Sequence, residues 1–328
     1  MHRLMKMHRL MKMHRLHESA RRRLMVISTL ACVAVIGAAC GSSKPGASPS
    51  TSTGAGSKGS ITVGSTNFPE QVIVANIYAD VLTHAGYKVT VRANLGTREI
   101  VEPALAHGQI DLYPEYVGSL LTFLNKAAPN TPTKLDAELA ALRPLLAAQG
   151  IKALNPAPAV DENAFVVTQA TASKYHLKTI SDLAPVASQL VLGGTPECPT
   201  RPLCLLGLQK TYGLHFKSFT PLDEAGPITV SALKHGSIDV GELFSSDGSI
   251  TQNNFVVLTD NKSLQPADNL TPVIRSSVDS AAVAAALNAA SAKLTTSQLS
   301  ALNTKVNVDK SDPAKVAKDW VQSEGLIG

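Results

Sequence analysis

The sequence predicts an α/β protein of two lobes that close on a cleft, and three observations carry that reading. From Ile61 onward, short apolar runs alternate with helical stretches, the signature of βαβ units and a mostly parallel sheet. Residues 104–116 (ALAHGQIDLYPEY) are echoed at 232–244 (ALKHGSIDVGELF), with six of thirteen positions identical. The two copies lie 128 residues apart, and the 268 residues from Ile61 to Gly328 are comfortable for two lobes.

Element by element, Ile61–Ser65 reads as a strand and Pro69–Ala85 as a helix, with Val72, Ala75, Asn76, Ala79 and Leu82 at helical spacing; Lys88–Leu95 is the next strand. Thr97 can cap a helix running to His107, which Gly108 ends, and Ile110–Tyr113 is a strand. Glu162–Thr168 and Thr259–Pro272 are the stretches where the chain crosses between lobes, because the second copy of the echo must begin and end near them. Helices are expected at Ala281–Lys293, Ser297–Val306 and Pro313–Ser323, the last with proline in its first turn after Asp312. Two crossings make a hinge.

Each copy of the echo reads as a helix end, a glycine stop and a short strand that delivers an aromatic, Tyr116 or Phe244, just past its end. In open α/β sheets ligands bind outside the carboxyl ends of the strands, so two facing lobes would set these rings on opposite walls of one cleft. His107 and His235 match each other, as do Asp111 and Asp239, which argues for shared structural roles: a cation at a helix C-terminus, and hydrogen bonding at a sheet end.

The N-terminus has a separate character. Residues 1–23 carry eight Lys or Arg against Glu18 alone, and residues 24–39 are uncharged and apolar and end in small residues before Cys40. That is the layout of an export signal, residues 1–39, and the apolar run is shorter than a membrane span. The opening MHRLMK repeat over residues 1–18 reads as a misplaced start, with translation beginning at Met13 or Met25. Ile36-Gly37-Ala38-Ala39-Cys40 resembles the lipobox of bacterial lipoproteins, which implies a lipidated Cys40, although Gly37 stands where that motif prefers Leu, Val or Ile. Residues 41–60 hold seven Ser and five Gly and read as a flexible tether with a reach of roughly 25 Å. The whole chain has 30 basic and 25 acidic residues, but without residues 1–39 it has 22 against 24. The basic balance belongs to the leader, so nucleic acid is not an expected partner.

Cys198 and Cys204, in ECPTRPLC, read as a local disulfide that holds Arg201 in its loop. No histidine pair or CxxC lies near to suggest a metal site. Motifs for a nucleophile elbow, a zinc protease, a phosphate-binding loop or a dinucleotide fold are missing, so neither an enzyme nor a cofactor is expected.

Several segments together resemble a family. GSTNFPEQ (64–71), ANLGT (93–97), ALAHGQIDLYPEYVGSLLT (104–122), ENAFVVT (162–168), PEC..R..C..GL (196–208), IDVGELFSSDG (238–248) and LTDNKSLQPADNLTPVIR (258–275) are similar to the ProX type of substrate-binding protein, which serves ABC importers of quaternary amines. The resemblance implies the two-lobed type II periplasmic-binding-protein fold with a hinge and an interlobe cleft. Its lobes would be residues 61–164 with 270–328, and residues 165–269; residues 40–60 would be a lipid-anchored linker.

The resemblance also implies a site. A trimethylammonium group would sit among aromatic rings at Tyr116, Phe165 and Phe244, each ring face contributing about 0.5–2 kcal/mol. Arg201 and Ser119 would hold a ligand carboxylate. Thr66 stands where the family has a lysine, Gln71 keeps a polar position, and Asp268 falls near a missing fourth aromatic. The function implied is capture of glycine betaine, choline or a similar osmoprotectant outside the membrane. The protein would be a monomer, lipid-anchored on the outer face of the cytoplasmic membrane, with permease subunits and a cytoplasmic ATPase as partners. Alternatives are the same scaffold for a neutral hydroxylated or aromatic solute, or a sensor without transport.

Overall fold

The computed structural model describes residues 58–128 and 131–328. The leader, Cys40 and nearly all of the tether lie outside the described residues. The first lobe begins with β1 (Ser60–Gly64), α1 (Pro69–His84), β2 (Lys88–Arg92), α2 (Arg98–Ala106), β3 (Leu112–Tyr116), α3 (Val117–Leu124), α4 (Leu135–Ala147) and β4 (Ile151–Ala153). The second holds β5 (Asn163–Val167), α5 (Gln169–Tyr175), β6 (Val191–Gly194), β7 (Ser218–Pro221), α6 (Pro227–Lys234), β8 (Val240–Phe244), α7 (Gly248–Gln252) and β9 (Val256–Val257). The chain then returns as β10 (Leu270–Arg275), α8 (Ala281–Lys293), α9 (Thr296–Asn307) and α10 (Pro313–Ser323).

There is one five-stranded sheet per lobe, ordered β2-β1-β3-β10-β4 and β7-β6-β8-β5-β9. Both sheets are mixed. In each, four strands point the same way, and the fourth in order, β10 or β5, runs antiparallel to both its neighbours. This fourth strand is the one that arrives from a crossing, so it enters from the hinge side against the direction of the others.

The crossings lie earlier than the sequence suggested. Asn163 and Ala164 already belong to β5, so the first crossing is residues 154–162, and the lobe boundary at 164/165 cuts a strand. The second crossing is residues 258–269. The two run antiparallel, bridged at Val160 and Asn269, with the Asp161 amide donating to the Asp268 carbonyl at 3.0 Å. Ile110 and Asp111 precede β3, which extends through Tyr116. Thr97 occupies the N-cap position of α2, but its side chain makes no capping bond.

Apolar clusters cover both faces of each sheet. On one face of the first sheet, α1 lies between the strands and α10, and Ile73, Ile77, Leu287 and Trp320 join one core. Ten of the sixteen residues of α1 are buried, as expected of a helix covered on most sides. Leu105, Leu120 and Leu142 from α2, α3 and α4 fill the other face. With both faces covered, all five residues of β3 are buried. Although α9 comes after the first lobe's last strand, it packs on α7 of the second lobe. Gly248 permits that approach, because a Cβ there would collide with Thr304.

Candidate functional site

The echoed residues take matching positions. Gly108 and Gly236 end their helices with φ of 72° and 70°. Asp111 accepts from the Thr62 amide and Asp239 from the Val191 amide, each at 2.8 Å, which ties each loop to the neighbouring strand. The rings of His107 and His235 each approach the carbonyl four residues earlier, at 2.7 and 2.8 Å. These groups build the scaffold, and Tyr116 and Phe244 end the two strands that it positions.

Phe68 lies between those two rings. It is the N-cap residue of α1, and its ring is 4.8 Å from Phe244 and 6.4 Å from Tyr116, nearly parallel to the latter at 21°. The three rings therefore form one wall shared by both lobes. A cavity of about 440 Å³ opens beside them, lined by Thr66, Gln71, Ser119, Arg201 and Asp268 among others. The Thr66 hydroxyl and the Gln71 side-chain oxygen are buried without a hydrogen-bond partner. Buried polar groups are ordinarily paired, so these two are open to a ligand.

Charge in the cavity is mostly spoken for. Arg98 donates to both oxygens of Glu115, at 2.5 and 2.9 Å, a bidentate pair. Arg201 reaches across the cleft to Glu99 at 2.9 Å and lies 3.8 Å from Glu224. Burial works against the Glu99 carboxylate, but hydrogen bonds from Arg201 and Thr97 hold it at about 2. Asp268 accepts from the amide and hydroxyl of Ser119, both at 2.6 Å, and so caps the first turn of α3 from another element. Burial still raises Asp268 to about 7 against those bonds. Glu224 is likewise raised to about 7 by burial, with Arg201 and Arg98 pulling the other way. The lining holds the carboxyls of Glu99, Glu115, Asp161, Glu224 and Asp268 against four cations, Arg98, Lys126, Arg201 and Lys210.

Behind the rings lies a buried polar junction. Glu70 accepts from the Tyr116 hydroxyl at 2.5 Å, the Ser246 hydroxyl at 2.6 Å and the Asn303 amide at 2.5 Å, which joins the first lobe, the second lobe and α9. Asp161, in the first crossing, accepts from the Ser246 amide at 2.8 Å. Burial raises Glu70, and burial together with the charge of Glu70 raises Asp161 well above the ordinary carboxylate range. Tyr116 thus belongs to the hinge as well as to the cleft.

Of the eight expected ligand residues, seven line the cavity and one does not. Phe165 is fully buried in the core of the second lobe with Leu192, Cys198 and Leu208. It shares a face of β5 with Asn163, which does reach the cavity. Two residues along a strand is about 7 Å, enough to carry Phe165 under the core. Sequence reasoning missed Phe68, Arg98, Glu99, Glu115, Asn163 and Glu224. Phe68 had a signal, an aromatic just past the end of a strand, the same rule that found Tyr116. The Cys198–Cys204 disulfide is formed. Glu242 lies close to both sulfurs, but cysteines joined to each other have no thiolate to offer a metal.

Two mixed α/β lobes around a cleft are a solute-binding architecture, and the similar proteins are substrate-binding components of importers, not enzymes. The chain belongs to the family described as "Substrate binding domain of ABC-type glycine betaine transport system", matched over residues 59–323. It is 28% identical to a glycine-betaine-binding protein of Pseudomonas aeruginosa, over 81% of this chain and 88% of that one. It is also 28% identical to the glycine betaine-binding protein YehZ of Escherichia coli K12, over 81% and 90% of the two chains. A crystal structure titled as a glycine betaine/carnitine/choline ABC transporter superposes with a TM-score of 0.65 at 26% identity, over 81% of this chain and 99% of that one. Such proteins are extracytoplasmic, bind small solutes and work with permease and ATPase subunits. Among the described residues, no helix is long and apolar enough to cross a membrane.

Proposed function

We propose that this protein captures a quaternary ammonium solute in the interlobe cavity and presents it to its permease from a lipid anchor at Cys40. The observation that carries the ligand reading is the wall of Phe68, Tyr116 and Phe244 beside the interlobe cavity. A quaternary cation donates no hydrogen bond, so ring faces are its fitting partners. The relatives named for glycine betaine support the same class. Titration calorimetry with tetramethylammonium, choline and glycine betaine tests it, with one ligand per chain expected. Silence from all of these removes the reading.

A second reading has its own support. Arg98 and Arg201 are both engaged by glutamates, so no guanidinium stands ready for a carboxylate. Flat rings with the open Thr66 and Gln71 oxygens also suit a neutral hydroxylated or aromatic solute, and such compounds belong in the same titration. Anchoring is tested separately: Cys40→Ala should release the protein into the soluble fraction without altering ligand affinity.

A further inference from the structure

We infer that Glu70 and Asp161 form an acid pair that exchanges a proton for the solute: entry of a cation into the cavity drives one proton off the pair, and the carboxylate so formed holds the cation. This rests on the quaternary ammonium reading and adds to it the residues that supply a counter-charge. The two side chains come from different elements, Glu70 from the first turn of α1 and Asp161 from the first crossing. Both residues are buried, at 3% and 4% exposure. They converge on Ser246, just past β8 in the second lobe. Ser246 donates its hydroxyl to Glu70 at 2.6 Å and its amide to Asp161 at 2.8 Å. Two carboxyls gathered on one residue away from water cannot both carry charge, so without a solute the pair keeps one proton between them.

The surroundings leave that pair without a positive partner. Around Glu70 stand the Tyr116 hydroxyl from β3, Asp161, Ser246, and Asn303 of α9, of which only Tyr116 and Asp161 titrate. Around Asp161 stand Glu70, Ser245 and Ser246. Two nearby acids point elsewhere: Asp268 of the second crossing accepts from Ser119, and Asp247 accepts from the Ser249 amide in α7. Among the described residues no lysine or arginine forms an ion pair with Glu70 or Asp161. Arg98 and Arg201 are held by Glu115 and Glu99. A cationic solute brings the missing charge, and it has two routes to the pair. Asp161 lines the cavity itself. Tyr116 also lines it and donates its hydroxyl to Glu70. A cation against that ring draws on its electrons, strengthens the hydroxyl as a donor and so favours the ionised Glu70. The proton leaves to solvent through the cavity, and no other bond changes. By linkage, a solute whose binding expels a proton binds more tightly as pH rises, by at most about tenfold per pH unit.

The test is calorimetry with tetramethylammonium and choline in two buffers of different ionisation heat, at pH 7.5 and pH 9. Both values lie above the region of about 7 where Asp268 and Glu224 titrate. The wild type should release a fraction of a proton per cation bound, and its affinity should rise roughly threefold or more between the two pH values. Asp161→Asn and Glu70→Gln each leave a single carboxyl, which ionises without a rival. In both, proton release and pH dependence should vanish, and affinity at pH 9 should fall roughly threefold or more below wild type. Should Glu70→Gln lose its cooperative urea transition, Asp161→Asn decides alone. Asp268→Asn lies outside the pair and should still release the proton. Heats that do not depend on the buffer, affinity that does not rise with pH, or a release that survives in Asp161→Asn overturns the inference while leaving the quaternary ammonium reading in place. If neither cation binds, both fall together.

Discussion

The two lobes have the same sheet and different chemistry. Strand for strand, β2-β1-β3-β10-β4 matches β7-β6-β8-β5-β9, and the paired glycines and aspartates serve both alike. The difference lies in the segment attached to the end of the first inner strand. After β1 the first lobe enters a long helix, whose approach and first turn supply Thr66, Phe68 and Gln71. After β6 the second lobe enters the disulfide loop that carries Arg201. Arg98 and Glu115, the bidentate pair of the first lobe, correspond in the echo register to Gly226 and Leu243. The duplicated part is the frame; the contacts offered to a solute differ between the copies.

Two phenylalanines break this comparison most sharply. Phe165→Ala should cost about 3–5 kcal/mol in urea unfolding, the usual range for a core phenylalanine, while the folded fraction keeps its ligand affinity. Phe68→Leu should cost less stability but lower affinity at least tenfold, about 1.4 kcal/mol. If Phe165→Ala changes affinity as Phe68→Leu does, the division between core and wall is wrong.

Removing the disulfide is next in size. Cys198→Ala/Cys204→Ala should destabilise by about 2–3 kcal/mol, with affinity lost as the Arg201 loop relaxes. Reduction with dithiothreitol should reproduce the effect in the wild type and have none in the double variant.

The pH response is smaller and has a defined sign. Asp268 and Glu224 titrate at about 7 when folded, against about 4 when unfolded. The folded chain therefore holds more protons over that window, and its stability falls as pH rises from about 4 to about 7. Glu99, held at about 2, acts oppositely, and its contribution is lost as pH falls through its folded value. Urea midpoints at pH 4.5 and 7.5 should show the decline, and Asp268→Asn should flatten it. Binding of tetramethylammonium should tighten over the same rise, as carboxylates ionise around it.

The smallest effects test the frame itself. Gly108→Ala and Gly236→Ala should each cost about 1 kcal/mol for the left-handed backbone. Gly108 should be the costlier, because a Cβ there lies 3.0 Å from the Arg275 guanidinium, whereas at Gly236 it meets open space. A difference beyond about 2 kcal/mol would deny the two glycines a common role.

Much of the frame could be read directly, because helix–glycine–strand is a local pattern and it occurs twice. Tyr116 and Phe244 came out of that pattern. Phe165 was misplaced because a motif gives a residue's strand but not its depth along it. Tyr116 also proved to be more than a cleft wall: its hydroxyl satisfies the buried Glu70, so Tyr116→Ala would cost stability as well as affinity. The pairs Arg98–Glu115 and Arg201–Glu99 join residues 17 and 102 positions apart. No local spacing announces such partners: the first pair meets when α2 packs beside β3, the second only when the lobes face each other. The antiparallel fourth strand escaped for a related reason, because its direction depends on where the chain re-enters.

The placement of β10 also bears on how the chain assembles. The second lobe's sheet is made from one uninterrupted stretch, residues 163–257, whereas the first lobe's sheet waits for residues 270–275 to take a place between β3 and β4. When the polypeptide is delivered N-terminus first, the half begun first is finished last. Until then its central strand exposes an unpaired edge, the kind of surface that invites mispairing. The early-completed half offers no such opening.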